Sequence, residues 1–340
     1  MKIFLKKIVG FSLFLIIVII AICEIQIPDA TVIWLTENTS YEKIAWNVRL
    51  INNSHEQLKN SSIFIGPSLV EGAINDSMLN SFGYKSINMG VRHGGADLDY
   101  YFVSRIIEHK PGFIFLHRFP KGNGVFHPMM PLLMSPIKYF LNFQNISTKF
   151  FFKFIPKRLY FVLKFAICCF IEKKGSNIKK NDTVYGWRSR GNGHIIIDEV
   201  KVNCLVSEKV SLNSRIKKEF FNKSGVLVYS SGTLKNIWRF LVSNFVFGNG
   251  EDTRIRTISL CENANVNVAE IYIPHFPDAC FDSKMESNKY FFRRQGISKP
   301  VYYLKNVAFL SNQIYWVDQE HLNAIGSYQF TDSIYKILPK

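Results

Sequence analysis

The residues best suited to chemistry are a serine near the amino terminus and an Asp–His pair near the carboxyl terminus. Ser68 follows a short apolar run, 62–66, that is typical of a buried strand, and it precedes a stretch compatible with a helix. A serine at such a turn exposes its hydroxyl, and the amino terminus of the helix can offer backbone N–H groups to a developing oxyanion. The same turn has a second interpretation, in which Ser68 only caps the helix.

Asp318 and His321 could supply what a nucleophilic serine lacks. A serine needs a base to take its proton, and the base needs an acid that orients it. Side chains three residues apart, on a loop or a first helical turn, can point to the same side. The spacing therefore predicts that Ser68 is the nucleophile, His321 the general base and Asp318 the orienting acid. The alternative is a capping loop with a surface histidine.

The elements that would position these residues alternate between strands and helices. The predicted strands are 62–66, 86–89, 113–117, 225–229 and 268–273. The predicted helices are 69–79, 96–109 and 324–338. Strands and helices that alternate at this spacing indicate an α/β fold with a parallel sheet and crossover helices. Ser68 then lies at the carboxyl edge of the sheet, where such folds bind ligands.

Three short motifs resemble blocks of the SGNH (GDSL-type) hydrolase superfamily, and they occur in the family's order. The segment 66–68 (Gly-Pro-Ser) is similar to the first block, with Pro67 in place of the usual Asp. The segment 88–90 (Asn-Met-Gly) is similar to the second block, and 318–326 (Asp-Gln-Glu-His-Leu-Asn-Ala-Ile-Gly) to the fifth. The most similar branch is the membrane-anchored group associated with modification of bacterial cell-envelope polysaccharides.

The resemblance implies an SGNH-like three-layer fold, a parallel sheet flanked by helices, over residues 61–340. It also implies that the backbone N–H groups of Ser68 and Gly90 stabilise the oxyanion. The third block departs from the family, because Leu-His-Arg-Phe stands at 116–119 where Gly-x-Asn-Asp is expected. Asn123 or Arg118 could replace the missing Asn. The loss of one oxyanion donor costs about two to three powers of ten in rate.

The function implied by the resemblance is a serine esterase or O-acyltransferase that acts on acyl groups of an envelope glycan through an acyl-enzyme. Its partners would be an acylated glycan or an acyl donor, and it would need no cofactor. No His or Cys spacing matches a metal site, so no metal is expected. The alternative, permitted by the third-block departure, is a catalytically impaired SGNH-like protein that binds a glycan or assists its assembly.

The amino terminus indicates a membrane protein. Lys2, Lys6 and Lys7 precede an uncharged run, 8–23. This pattern predicts that residues 1–27 are a cytoplasmic n-region followed by a membrane anchor or signal. The chain would then be a single-pass protein of the cell membrane with its domain on the periplasmic side. The polar segment 28–60 is predicted to be a linker that leads into a helix at about 41–53.

The charge is strongly positive, with 42 Lys and Arg against 26 Asp and Glu. Nucleic acid is not an expected partner, because it is scarce outside the cytoplasm. The residues at about 119–195 break the strand–helix rhythm and are predicted to be an insertion. Within it, the basic and aromatic segment 149–174 could lie in the membrane interface and contact anionic lipid. The alternative is a core helix with solvated lysines.

Overall fold

The computed structural model describes residues 2–37, 39–118, 126–143, 153–171, 250–275, 300–304, 307–317 and 321–339. They form an α/β fold, in which a five-stranded parallel sheet is flanked by helices, with one apolar helix at the amino terminus. The α/β class and the parallel sheet predicted from the sequence are confirmed. The predicted strand at 225–229 lies outside the described residues.

The sheet has the order β2-β1-β3-β4-β5, and every neighbouring pair is parallel. Its strands are β1 (Ser62–Ile65), β2 (Ser86–Asn88), β3 (Phe113–His117), β4 (Asn267–Ile271) and β5 (Val301–Tyr302). In the register, Ile63 lies opposite Ile87 on one side and Ile114 on the other. From β1 the chain passes first to one neighbour and later to the other, so the switch point of the topology, where open α/β sheets bind ligands, lies between β1 and β3 at their carboxyl ends.

The helices cover both faces of this sheet. In chain order they are α1 (Lys2–Cys23), α2 (Asp29–Thr36), α3 (Glu42–Asn53), α4 (His55–Leu58), α5 (Ser68–Ala73), α6 (Asp76–Ser81), α7 (Ala96–Ile106), α8 (Met130–Leu133), α9 (Pro136–Phe143), α10 (Ile155–Ile171), α11 (Gly250–Asn263) and α12 (Ala324–Tyr335). Short 3-10 turns occur at Ile107–His109, Ala308–Leu310 and Gln313–Tyr315.

Successive side chains of each strand point to opposite faces of the sheet, and each face has its own hydrophobic core. Ile63 and Ile65 of β1 belong to the core on one face, together with residues of α2, α3, α7 and α11. Phe64 points to the other face, where its ring stacks on Phe115 with centroids 4.7 Å apart and packs with residues of α5 and α12. Successive side chains of a strand point to opposite faces, so apolar runs such as 63–65 are buried on both sides.

The structure of the segment 28–60 differs in part from the predicted linker. The expected lead-in helix is present as α3, but the segment as a whole is not an extended linker. Val32 of α2 and Ile44 and Val48 of α3 are buried in the first core. The domain therefore begins within a few residues of the end of α1.

The amino-terminal helix α1 is long and apolar enough between Lys6 and Cys23 to cross a membrane, by length and composition. Most of its side chains are exposed, unlike those of a core helix. The insertion predicted at about 119–195 is described in two pieces, 126–143 and 153–171, which form α8, α9 and α10.

Candidate active site

Ser68 is the first residue of α5 and follows β1 by a turn of two residues, Gly66 and Pro67. Pro67 has extended backbone angles (φ −76°, ψ −171°), and its carbonyl accepts the N–H of Val70 at 2.9 Å. The N–H groups of a first helical turn have no acceptor within their helix. Ser68 is half-buried at the carboxyl edge of the sheet, with its backbone N–H at the start of this turn.

Ser68 and His321 lie within hydrogen-bond distance. The Ser68 Oγ atom is 2.9 Å from the His321 Nε2 atom, although the two residues are 253 positions apart in the chain. His321 is only 9% exposed. The proximity expected from the sequence is therefore observed. Asp318, the predicted orienting acid, lies outside the described residues.

The loop around His321 is held by its neighbours on both sides. The His321 carbonyl accepts the N–H of Val317 at 2.8 Å. Asn323 is fully buried, and its Nδ2 group donates to the Ile314 carbonyl at 2.8 Å. Its Oδ1 atom accepts the N–H of Gly326 at 2.7 Å and thereby caps α12. Asn323 thus fixes the histidine loop to the start of the last helix.

The last helix is in turn attached to the helix that carries the serine. Ser327 Oγ and Thr331 Oγ1 of α12 both donate to the carbonyl of Ala73, at 3.0 and 3.1 Å. Thr331 Oγ1 also accepts the N–H of Asn75 at 3.0 Å. Because Ala73 ends the helix that Ser68 begins, these buried hydrogen bonds set the spacing between the two sides of the site.

Asn88 ties the second motif to α5. Its Nδ2 group donates to the carbonyls of Val70 at 2.8 Å and Ile74 at 2.6 Å, and its Oδ1 atom accepts the N–H of Gly90 at 2.9 Å. Because the Gly90 N–H binds the Asn88 side chain in this structure, its expected service to an oxyanion would require this bond to break, and it stays a prediction. Gly90 also has a steric role, since a Cβ at this position would collide with the backbone of Glu71.

Arg118, one of the two suggested replacements for the third-block Asn, lies in the core. Its guanidinium is 2.7 Å from the carboxylate of Glu270, which also pairs with Arg254. All three side chains are at most 5% exposed. Arg118 cannot reach an oxyanion without breaking this buried ion triad, which corrects the suggestion. Asn123, the other candidate, lies outside the described residues.

His117 packs against Gly66, in the turn that precedes Ser68. It is fully buried, and a Cβ on Gly66 would lie 2.5 Å from the His117 Cβ atom, so only glycine fits at position 66. Burial, with a contribution from the charge of His275, lowers the pKa of His117 to about 3. The imidazole is therefore neutral at physiological pH and packs as a polar core group.

A buried polar network behind the second motif was not anticipated. The Asp97 carboxylate accepts the backbone N–H of His127 at 2.9 Å and the hydroxyl of Tyr139 at 3.1 Å. Burial raises the pKa of Asp97 well above its usual range and lowers that of His127 to about 4. The His127 ring also binds the Arg92 carbonyl at 2.8 Å, so the network fixes the loop that follows Gly90.

No group of three or more His, Cys, Asp or Glu side chains in the described part of the chain is arranged to hold a metal ion. No protein-family model matches this chain, and no curated protein shows a significant match to it. The geometry around Ser68 is therefore the main guide to function.

Proposed function

We propose that the chain is a membrane-anchored serine esterase or O-acyltransferase of the SGNH type that acts on acyl groups of a cell-envelope glycan. One observation carries the proposal, the 2.9 Å hydrogen bond between Ser68 Oγ and His321 Nε2. A hydroxyl at the start of a helix, bonded to an imidazole brought from the far end of the chain, is the arrangement that nucleophilic catalysis requires.

In the proposed reaction, His321 Nε2 accepts the Ser68 proton while Oγ attacks the acyl carbonyl. The tetrahedral intermediate collapses when the imidazolium returns this proton to the leaving oxygen. The alcohol departs, and the acyl group stays on Ser68 as an ester. Water or a sugar hydroxyl then gives its proton to His321 and attacks the ester. The imidazolium returns this proton to Ser68 Oγ as the acyl group leaves, which restores the serine. Asp318 is the proposed partner of the second imidazole nitrogen.

The oxyanion would be bound chiefly by the Ser68 N–H at the start of α5, because the N–H groups of Val70 and Glu71 in the same turn already bind the Pro67 carbonyl. The Gly90 N–H can join only if it leaves Asn88, and Arg118 is bound to Glu270. A site with fewer preorganised donors stabilises the transition state less, and each missing donor costs about 3 kcal/mol. We therefore expect low turnover on simple esters.

The test uses the full-length chain in detergent, labelled with a fluorophosphonate probe and assayed on an aryl acetate. Ser68→Ala should abolish both signals. His321→Ala should lower both by a factor of about 100 or more, because the general base is lost. Ser77→Ala is the matched control, since Ser77 is an exposed serine of α6, and this variant should behave as the wild type. Unchanged labelling in Ser68→Ala would refute the proposal.

The second candidate function is glycan binding without catalysis. It is favoured by the engagement of the Gly90 and Arg118 donors within the fold. A wild-type chain that takes no fluorophosphonate label, yet retains an envelope glycan in pull-down with the purified polysaccharide, would support this candidate over the enzyme.

A further inference from the structure

We propose that α9 and α10 form a second membrane contact beside α1, so that the domain rests on the outer surface of an anionic bilayer. The contact, here called the docking face, consists of exposed apolar side chains on these two helices. Its members are Ile137, Phe140, Leu141, Tyr160, Leu163 and Ile167, each at least 50% exposed. The inference is independent of the chemistry at Ser68.

Arg158 of α10 fastens the end of α1 to the domain. Its guanidinium is buried and donates to the carbonyls of Cys23 at 2.9 Å and of Ile25. It also donates to the carbonyls of Pro131 and Leu132 in α8, at 3.0 and 3.1 Å. Four carbonyls from two segments therefore share one cation, so the domain cannot swing freely about the end of α1.

Both helices of the docking face begin where α1 ends. The backbone N–H of Ile137, in the first turn of α9, donates to Glu24 Oε1 at 2.7 Å. The carbonyl of Ile155, the first residue of α10, lies 3.9 Å from Cys23 Sγ. If α1 spans the bilayer, the point where it emerges fixes α9 and α10 at the level of the lipid head groups.

The exposed apolar residues follow the helical repeat. Tyr160, Leu163 and Ile167 share one side of α10, while Arg158 and Val162 on another side are buried. Single exposed apolar residues need no partner, but several on one side of a helix mark an interaction site. An amphipathic helix at the edge of a bilayer buries such a side among the acyl chains.

The positive charge of the insertion favours contact with anionic phospholipid. The described parts of the insertion, 126–143 and 153–171, contain Lys138, Lys153, Lys157 and Lys164 in addition to Arg158, and no Asp or Glu. The four lysines are exposed, and Lys164 Nζ lies 4.8 Å from the centre of the Tyr160 ring. Lysine stems cover apolar surface while their ammonium groups reach the head groups, so this surface suits anionic phospholipid.

The direct test reconstitutes the full-length chain into liposomes that contain anionic phospholipid and a phospholipid with a photoactivatable diazirine near the head-group end of its acyl chain. Adducts are mapped by mass spectrometry after illumination. We expect adducts on α9 and α10 as well as on α1. Phe82 and Tyr328, apolar residues exposed elsewhere in the domain, should remain unlabelled. Adducts confined to α1 would overturn the proposal.

A charge variant tests the preference for anionic lipid. Replacement of Lys138, Lys157 and Lys164 by Gln should lower the adduct yield on α9 and α10 severalfold while that on α1 stays constant. Lys336→Gln is the control, because Lys336 is an exposed lysine directly after α12. This variant should leave the adduct yields on α9 and α10 unchanged. Equal yields on α9 and α10 in zwitterionic and anionic liposomes would refute the anionic preference.

Discussion

Replacement of Asn88 should be among the most damaging changes outside the Ser68–His321 pair. Its amide joins two segments, because the nitrogen donates to the carbonyls of Val70 in α5 and of Ile74 directly after α5, and the oxygen accepts the N–H of Gly90. Asn88→Ala leaves all three groups buried without this partner. Asn88→Asp keeps the acceptor but turns a second oxygen toward the carbonyls of Val70 and Ile74.

The expected loss in the free energy of unfolding can be estimated from these hydrogen bonds. Three hydrogen bonds at about 1 kcal/mol net each predict that Asn88→Ala lowers the free energy of unfolding by about 3 kcal/mol. Asn88→Asp should lose at least as much, although its shape is nearly unchanged, because a carboxylate would lie against carbonyl oxygens. Both variants should also weaken fluorophosphonate labelling of Ser68, since α5 loses its attachment to the second motif.

Asn47→Ala is the control for this prediction. Asn47 is buried to a similar degree, but among the described residues its Nδ2 group donates to one carbonyl, that of Met89, at 3.0 Å. Its loss should cost about 1 kcal/mol. Unfolding by urea, followed by tryptophan fluorescence of the full-length chain in detergent, measures all three variants. Equal losses for Asn88→Ala and Asn47→Ala, or a well tolerated Asn88→Asp, would refute the reasoning.

Three further predictions use the same unfolding assay. Gly90→Ala should cost about 1–3 kcal/mol and reduce probe labelling, because the new methyl group displaces the first turn of α5. Arg158→Met should cost about 2–4 kcal/mol, because four carbonyls lose a charged donor. His117→Asn should flatten the pH dependence of stability between pH 4 and 6. In the wild type, His117 binds a proton in the unfolded state below pH 6.5 but in the folded state only below about 3, so stability falls as pH falls.

Each of these three predictions would be refuted by a specific result. Gly90→Ala with unchanged labelling would mean that α5 does not need the close approach. Arg158→Met with wild-type stability would mean that the end of α1 is held by other contacts. For His117, the wild type should lose about 1.4 kcal/mol more per pH unit than the variant, and parallel pH curves would show that the burial argument fails.

The sheet was predictable because its strands carry strong local signals. The runs at 63–65 and 113–116 are apolar throughout and are followed by turn or polar residues, as expected for strands buried on both faces. The strand β5 was not predicted, since it is only two residues long and its pairing with β4 comes from the tertiary fold. A segment this short has no periodicity to detect.

The proximity of Ser68 and His321 was predictable, whereas the hydrogen bonding around them was not. Residue types and spacing indicated Ser68 and His321, because the chemistry demands a nucleophile and a base. The engagement of Gly90 by Asn88 could not be anticipated, since it depends on where an amide side chain points in a packed loop. The pairing of Arg118 with Glu270 joins residues 152 positions apart, and only the adjacency of β3 and β4 reveals it.

The hydrogen bond between Ser68 and His321 also sets when the site can exist during synthesis. A chain emerges from its amino terminus, so α1, β1 and Ser68 are made long before the loop that carries His321. A serine without its base is a weak nucleophile, and contacts between distant residues form late in folding. The hydrogen bond between Ser68 and His321 can therefore form only after the loop of His321 has been made and α12 has docked on α5.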